Sequence, residues 1–415
     1  MELLATAATG TAGFVATECR RLGLQPLAVR SDGVLLDLEP AQAAHALVHL
    51  RVATRLLLLL DDIECPDADA FYESLSRLFW PDWLDDRHTL AVRCSGALPG
   101  SPEAPPGRRS HGPPIANHVF ASQRAKDAIC DRLRQRYGAR PSVDLDDPDV
   151  TVHVRFAGDR ATVALDLCGE PLHQRGYRVA EAEAPIKEHL AAAIAIGSGW
   201  DGGGPLLDPL CGSGTLLIEA VLNHLSIAPG RRRDFAVERW PWHGPLFGKL
   251  LDEAREAAQV HATAAVAGAG GLDVLGLDFD RGAVRTAKIQ VQRAGLADLI
   301  RVERGDARRL EAPPPGTVIL TNPPYGVRLL AGGDNVALYR ELGQRFATFE
   351  GVDLHIVDGH EAFLGAFGAT PLESLTMRNG ALPISLRHMR FGQWPVTQAT
   401  GRLRTPTEAP GPAQD

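Results

Sequence analysis

From about residue 165 onward the chain alternates short apolar runs with helical stretches, and several of those runs end on an acid or an amide. Leu206-Leu207-Asp208, Val274 to Asp278, Arg301 to Glu303, Thr317 to Leu320 and Leu354 to Asp358 read as strands. Leu216 to Leu225, Gly282 to Ala294 and Leu338 to Phe349 read as helices. This alternation predicts βαβ units and a parallel sheet. Ligands of open α/β sheets bind beyond the carboxyl ends of the strands. The residues that end each strand are therefore the first candidates for a site. A closing pair of runs, Glu373 to Met377 and Ala381 to Met389, predicts an antiparallel hairpin.

The N-terminal part has a different rhythm. Strands are expected at 3–6, 26–30, 33–38 and 55–60, with helices at 11–22 and 41–49, which describes a small α+β unit. Residues 65–155 continue in the same style, with helices near 68–78 and 119–137 and strands at 89–94 and 150–156. The stretch 96–114 is rich in Pro, Gly and Ser and is expected to be a long loop; the Pro-rich tail after 401 is expected to be disordered. The units expected are 1–60, an overlapping 43–156, an α/β domain over 165–395 and the tail 401–415.

Net charge is −8, so any nucleic-acid surface must be a local patch. One candidate is the run from Arg108 to Arg140, which holds eight basic residues (108, 109, 124, 126, 132, 134, 136, 140) and two acidic ones. Arg124, Lys126 and Arg134 on its helix are the candidate phosphate contacts; the plainer reading is a solvated helix face. The six Cys stand singly, and no Cys or His grouping has metal-site spacing. Reduced thiols, no metal and a cytoplasmic location are expected. No signal peptide is visible, and Leu56 to Leu60 is too short to span a bilayer.

Two segments carry chemistry. The first, Asp208-Pro209-Leu210-Cys211-Gly212-Ser213-Gly214-Thr215, is a loop between a strand and a helix. Gly212 and Gly214 let the backbone approach a ligand closely. Such a loop suits a dinucleotide pyrophosphate or the aminoacyl tail of S-adenosylmethionine, and it can also be a plain turn. The missing third Gly and an Asp able to take an ammonium favour the second ligand. Asp278, ending the next strand, can hold ribose hydroxyls, whereas Asp280 stands at an expected helix N-cap. Asp306, after the third strand, can accept from an adenine amino group. The second segment is Asn322-Pro323-Pro324-Tyr325 at the end of the fourth strand. Two prolines stiffen the turn and leave carbonyls as acceptors. With the Asn322 oxygen, the Pro323 carbonyl could take the two hydrogens of a planar amino group, with Tyr325 stacked on the ring behind it.

In this order the motifs resemble class I S-adenosylmethionine-dependent methyltransferases that act on an exocyclic amino group. About seventy residues separate Asp208 from Asp278, and the insert, about 226–271, carries Arg231-Arg232-Arg233 and Trp240-Pro241-Trp242. Further out, Ala164 to Gly169, Leu172 to Arg178 and Ala184 to Glu188 resemble the bacterial large-subunit ribosomal RNA methyltransferase L family. Leu4-Ala5-Thr6-Ala7 with Gly13, and Lys126 to Ile129 followed by Arg140-Pro141, are similar to its ferredoxin-like and THUMP modules. Val327 stands where that family commonly has an acid, and the 96–114 loop is longer than expected.

The resemblance implies a Rossmann-like catalytic domain behind an α+β RNA-docking region, S-adenosylmethionine as cofactor, and methylation of a guanine N2 in 23S ribosomal RNA or a large-subunit precursor. It implies no membrane and no protein partner. One activity is expected, because the second methyltransferase domain of the longest members is absent from these 415 residues. An assembly factor with a vestigial catalytic domain, or an amino-methyltransferase acting on another RNA such as tRNA, is the competing reading. Cytosine C5 chemistry is disfavoured because Cys211 lies in the cofactor loop and not at the acceptor strand.

Overall fold

The structure is a computed structural model that describes residues 1–105, 112–179, 186–325 and 335–392 of the chain. Arg108, Arg109, Pro185, Val327 and the tail 401–415 lie outside the described residues.

In the first part, strands β1 (Glu2–Thr6), β2 (Pro26–Arg30), β3 (Gly33–Asp37), β4 (Arg55–Glu64), β5 (Thr89–Ala97), β6 (Ser142–Val143), β7 (Val150–Ala157) and β8 (Arg160–Asp166) form one sheet. Its order is β2-β3-β1-β4-β8-β7-β5-β6. Helices α1 (Ala12–Arg21), α2 (Pro40–His49), α3 (Ala68–Arg77) and α4 (His118–Tyr137) pack on it. The two N-terminal units expected from the sequence thus share a single sheet, joined where β4 pairs antiparallel with β8. β4 is ten residues long, twice the run of leucines read from the sequence. The chain does not change style at 165: β8 carries the first sheet to Asp166.

The second part contains α5 (Glu188–Ser198), β9 (Leu206–Asp208), α6 (Thr215–His224), α7 (Gly244–Gly268), β10 (Val274–Asp278), α8 (Arg281–Ala294) and β11 (Ile300–Arg304). It continues with β12 (Val318–Thr321), α9 (Asn335–Phe346), β13 (Val352–Asp358), α10 (Phe363–Phe367), β14 (Glu373–Asn379) and β15 (Leu382–Phe391). The sheet order is β11-β10-β9-β12-β13-β15-β14, parallel except where β15 pairs antiparallel with β13 and β14. Strand β9 is buried throughout because it lies between β10 and β12 with both faces covered, which explains its unbroken Leu-Leu-Asp burial. Helix α8 starts because the Asp280 side chain accepts the Ala283 N–H (2.7 Å), a cap worth about 1 kcal/mol. It stops at Gly295, which takes a positive φ of 79°.

The insert does more than connect. Its Phe235, Val237, Trp240, Phe247 and Leu251 join the hydrophobic cluster of the first sheet, and α7 packs on α2. Trp240 meets Trp83 edge-on at 6.3 Å, while Trp242 is exposed and donates to the Pro81 carbonyl (3.1 Å). Arg231 and Arg233 spend their donors on main-chain carbonyls, Arg231 on Ala228 (3.1 Å) and Arg233 on Pro171 (2.8 Å) and Glu170 (2.6 Å). They staple the insert down and leave Arg232 outward.

Candidate active site

The loop after β9 is held by its neighbour strand. Cys211 N–H donates to the Leu277 carbonyl (2.8 Å), and Gly212 N–H donates to Asp278 Oδ2 (2.9 Å). Gly212 and Gly214 both have positive φ, 53° and 78°, conformations that L side chains resist. The two face different surroundings. A Cβ on Gly214 would touch Ala287 of α8 at 3.4 Å, whereas one on Gly212 would meet nothing within 4 Å among the described residues. Gly214 is therefore a packing glycine, and Gly212 borders open space in which a ligand can approach the backbone. Cys211 is buried against β10, and burial pushes its thiol well above its ordinary pKa. It is a packing residue with no nucleophilic character.

The three acids behave as a scaffold. Asp208 is 1% exposed; its Oδ1 accepts from Thr321 Oγ1 (2.7 Å) and from Leu210 N–H (3.1 Å). Burial raises its pKa to about 7, with the Asp278 charge adding to the rise and the two hydrogen bonds opposing it. Asp278 accepts Gly212 N–H on one oxygen and Asp280 N–H (2.8 Å) on the other. Each oxygen keeps a second lone pair for a hydroxyl. Asp306 receives Arg308 Nε and Nη2, both at 2.8 Å, and the Arg308 N–H at 3.0 Å. That hydrogen bonding to Arg308 holds its carboxyl below the ordinary range.

The neighbouring strand, β12, delivers Asn322 directly after Thr321. Asn322 Oδ1 is buried and has no hydrogen-bond partner among the described residues. In the stiff turn that follows, Tyr339 Oη of α9 donates to the Pro324 carbonyl (2.6 Å), which fixes the second proline and not the first. Tyr325 is largely enclosed. Its ring is 7% exposed and lies on the Gly359 backbone, where a Cβ would come within 2.7 Å of Cδ2. Asn379 Nδ2 of β14 reaches its hydroxyl at 3.4 Å. One side of the ring thus packs on the Gly359 backbone and little of the residue is exposed.

Sequence reasoning missed three supports. Thr321 ties β12 to Asp208 of β9. Gln290 of α8, fully buried, donates to the Ser213 carbonyl (3.0 Å). Beneath the loop, Glu219 of α6 pairs with Arg175 and accepts from Tyr177 Oη (2.7 Å), with Arg175 and Glu219 side chains 2% and 0% exposed. Arg175 also donates to the Arg51 carbonyl, and Arg51 pairs with Glu18 (3.2 Å). The chain Glu18–Arg51–Arg175–Glu219 thus runs from α1 in the first sheet's layer to the root of the loop. A polar residue on an apolar helix face, as at Gln290 and Glu219, was the available signal.

Tertiary contact also assembles a group that spacing concealed. Ligating atoms of Asp353, His355 and His388 all lie within 4.8 Å of one another. The carboxylate is already engaged, by His388 Nε2 (2.6 Å) and by Arg390 Nε (3.1 Å) and Nη2 (3.3 Å). A guanidinium on both carboxylate oxygens disfavours a cation there. Burial lowers the His355 pKa to about 3, so it stays neutral.

The expected RNA contacts on α4 are paired. Arg124 reaches Asp69 (2.9 Å) and lies over Tyr72, Lys126 pairs with Asp127, and Arg134 pairs with Asp131 (3.4 Å), which Arg140 also holds.

Comparison with known proteins matches three stretches of the chain. Residues 175–388 match the family of RMKL-like methyltransferase domains, 65–166 a THUMP domain and 2–57 an RlmL ferredoxin-like domain. The ribosomal RNA large subunit methyltransferase K/L of Pseudomonas putida (strain GB-1) is 35% identical over 97% of this chain and 54% of its own length. That of Ectopseudomonas mendocina is 33% identical over 98% of this chain and 55% of its own. The chain therefore spans about half the length of the curated relatives it matches. Among solved structures, a chain named as a methyltransferase and complexed with SAH shares 28% identity at a TM-score of 0.79, covering 94% of this chain and 98% of that one. One named as a predicted N6-adenine-specific DNA methylase, from Listeria monocytogenes, shares 28% identity at 0.79, covering 94% and 96%. No described helix is long and apolar enough to cross a membrane.

Proposed function

This chain belongs to the family of RMKL-like methyltransferase domains, and on that footing we propose that it uses S-adenosylmethionine to methylate the exocyclic N2 of a guanine in 23S ribosomal RNA. The observation that carries the acceptor assignment is Asn322 Oδ1, a buried acceptor without a partner among the described residues, beside a proline turn. A buried, unmatched acceptor costs about 1–3 kcal/mol, and an incoming N–H offsets that cost. The curated relatives named for large-subunit ribosomal RNA support the substrate, and the matched THUMP domain supports RNA docking.

S-adenosylmethionine fits the loop on two grounds: the open space beside Gly212, and a buried Asp208 whose raised pKa an ammonium would bring down. Asp208 would hold that ammonium, Gly212 and Gly214 would let the tail lie close, Asp278 would take the ribose hydroxyls and Asp306 the adenine amino group. When bound, the cofactor supplies an electrophilic methyl group. The protein's own contribution is positioning. Asn322 Oδ1 and the Pro323 carbonyl accept the two amino hydrogens and so orient the nitrogen lone pair. Tyr325 and Tyr339 keep the turn from relaxing. Holding a weak nucleophile in an attack geometry removes much of the barrier without a strong base. The target guanine must leave its stack to reach this turn. Arg124, Lys126 and Arg134 would meet phosphate only by exchanging their carboxylate partners.

The test is transfer of labelled methyl groups to unmodified 23S RNA, followed by nucleoside analysis, for wild type and Asn322→Ala. N2-methylguanosine from wild type alone is the expected result. RNA binding without transfer by wild type would support the assembly-factor reading, and a different methylated nucleoside would overturn the substrate.

A further inference from the structure

A groove of about 500 Å³ runs along the outer flank of α8 and the end of β11, lined by Arg281, Val284, Arg285, Lys288, Ile289 and Arg304. Four of its six lining residues are cationic and none is acidic. This is an exception in a chain of net charge −8. Arg281, Arg285 and Lys288 follow i, i+4, i+7 spacing, which places them on one face of the helix. All four cations are exposed, and none is in ion-pair contact with a carboxylate among the described residues. Like charges at this spacing disfavour the helix slightly when nothing neutralises them.

The groove also has an aromatic edge. Phe279 is 60% exposed, and the Arg304 guanidinium lies 5.2 Å from its ring centroid while Nε donates to the Phe279 carbonyl (3.1 Å). A strip of cations beside an exposed ring and two aliphatic side chains is the combination that single-stranded nucleic acid uses, phosphates on the charges and a base or sugar on the apolar surface. From Arg281 to Lys288 the helix rises roughly 10 Å. That span is too wide for one phosphate and suits successive phosphates of a chain. Phe279 and Arg281 follow Asp278 at the carboxyl end of β10, and Arg304 ends β11. β10 lies two places from β12, which carries Asn322. At the usual spacing that is about 10 Å.

We propose that the α8–β11 groove is the track that holds the RNA backbone next to the flipped guanine. The proposal rests on RNA methyl transfer as the function. It assigns the backbone contact near the chemistry to the catalytic domain, whereas the RNA-docking region supplies distant contacts.

The experiment measures binding of the full chain to transcribed 23S RNA across a salt series. Wild type is compared with Arg281→Ala/Arg285→Ala/Lys288→Ala/Arg304→Ala and with the milder Arg285→Ala/Lys288→Ala. Each phosphate contact contributes about 0.7–0.9 to the slope of log affinity against log salt. The quadruple variant should flatten the slope by about 3 and the double variant by about 1.5, with SAH affinity unchanged. A slope equal to wild type overturns the proposal. A flattened slope with a matching loss of SAH affinity also overturns it, by assigning the cations to the cofactor site. The two levels fail distinguishably: wild type that methylates 23S RNA with slopes unaltered by the variants sinks only the groove, whereas flattened slopes in a protein that transfers no methyl group sink the enzymatic reading and with it the groove's role beside a flipped guanine, leaving a plain RNA contact.

Discussion

At the ends of β9, β10 and β11, the acids meet protein donors before any ligand arrives. Asp208 holds Thr321 and Leu210, Asp278 holds Gly212 and Asp280, and Asp306 holds Arg308. On the β12 side, Asn322 Oδ1 is buried and holds nothing among the described residues. The first side is a frame whose polar groups are satisfied by the fold; the second keeps an acceptor in reserve. Thr321 belongs to both, since it bonds Asp208 and precedes Asn322 in the chain. The contrast separates residues whose polar groups the fold engages from one whose acceptor is unengaged among the described residues, and it makes their variants distinguishable.

The largest effect should come from beneath the frame. Glu219→Ala strands the buried Arg175 guanidinium and should cost about 3–5 kcal/mol, read as a fall in the urea midpoint. A drop below about 1 kcal/mol, the range of an exposed pair, would mean that the loop does not depend on this chain of charges.

Asp208→Asn tests whether the frame is strained by its own charge. The folded pKa is raised from 3.8 to about 7, so the stability this group allows is complete below its unfolded pKa and is lost as pH rises through about 7. The Asn variant should therefore be more stable than wild type at pH 8, by up to about 4 kcal/mol, since each tenfold difference in proton affinity between folded and unfolded chain is worth about 1.4 kcal/mol. The advantage should vanish toward pH 4, while affinity for SAH weakens. Equal pH profiles for the two proteins would contradict a raised Asp208.

Asn322→Ala should do the reverse. It should lower methyl transfer about 100-fold, as loss of precise positioning does, with the urea midpoint nearly unmoved. A large stability loss would place Asn322 in the frame and erase the contrast. The smallest effect belongs to Asp306→Asn, whose partner Arg308 is 46% exposed. Such surface pairs contribute little to stability, and SAH affinity should fall by only about threefold to tenfold, the weight of one hydrogen bond. Titration calorimetry would show it.

Much of this is legible in the chain. Periodicity locates the strands whose ends carry Asp208, Asp278 and Asn322, and the capping rule separates Asp280 from Asp278. Three things are hidden, each for a physical reason. The role of Tyr325 depends on Gly359 and Asn379, which lie 34 and 54 positions away. The basic run on α4 reads as a phosphate patch because the partner of Arg124, Asp69, comes from another helix and Asp131 is shared by Arg134 and Arg140. The cations of α8 are inconspicuous because they are spread over two turns, and Arg304 joins them from a neighbouring strand. Linear charge density reports neither pairing nor convergence.

The insert has a consequence for modularity. Phe235, Trp240, Phe247 and Leu251 belong by sequence to the catalytic half and by packing to the other. Grafting this catalytic half onto a foreign RNA-docking region would turn those side chains toward water, at on the order of 2 kcal/mol each. The unit that can be transplanted, and in which target choice can be inherited, is larger than the catalytic domain.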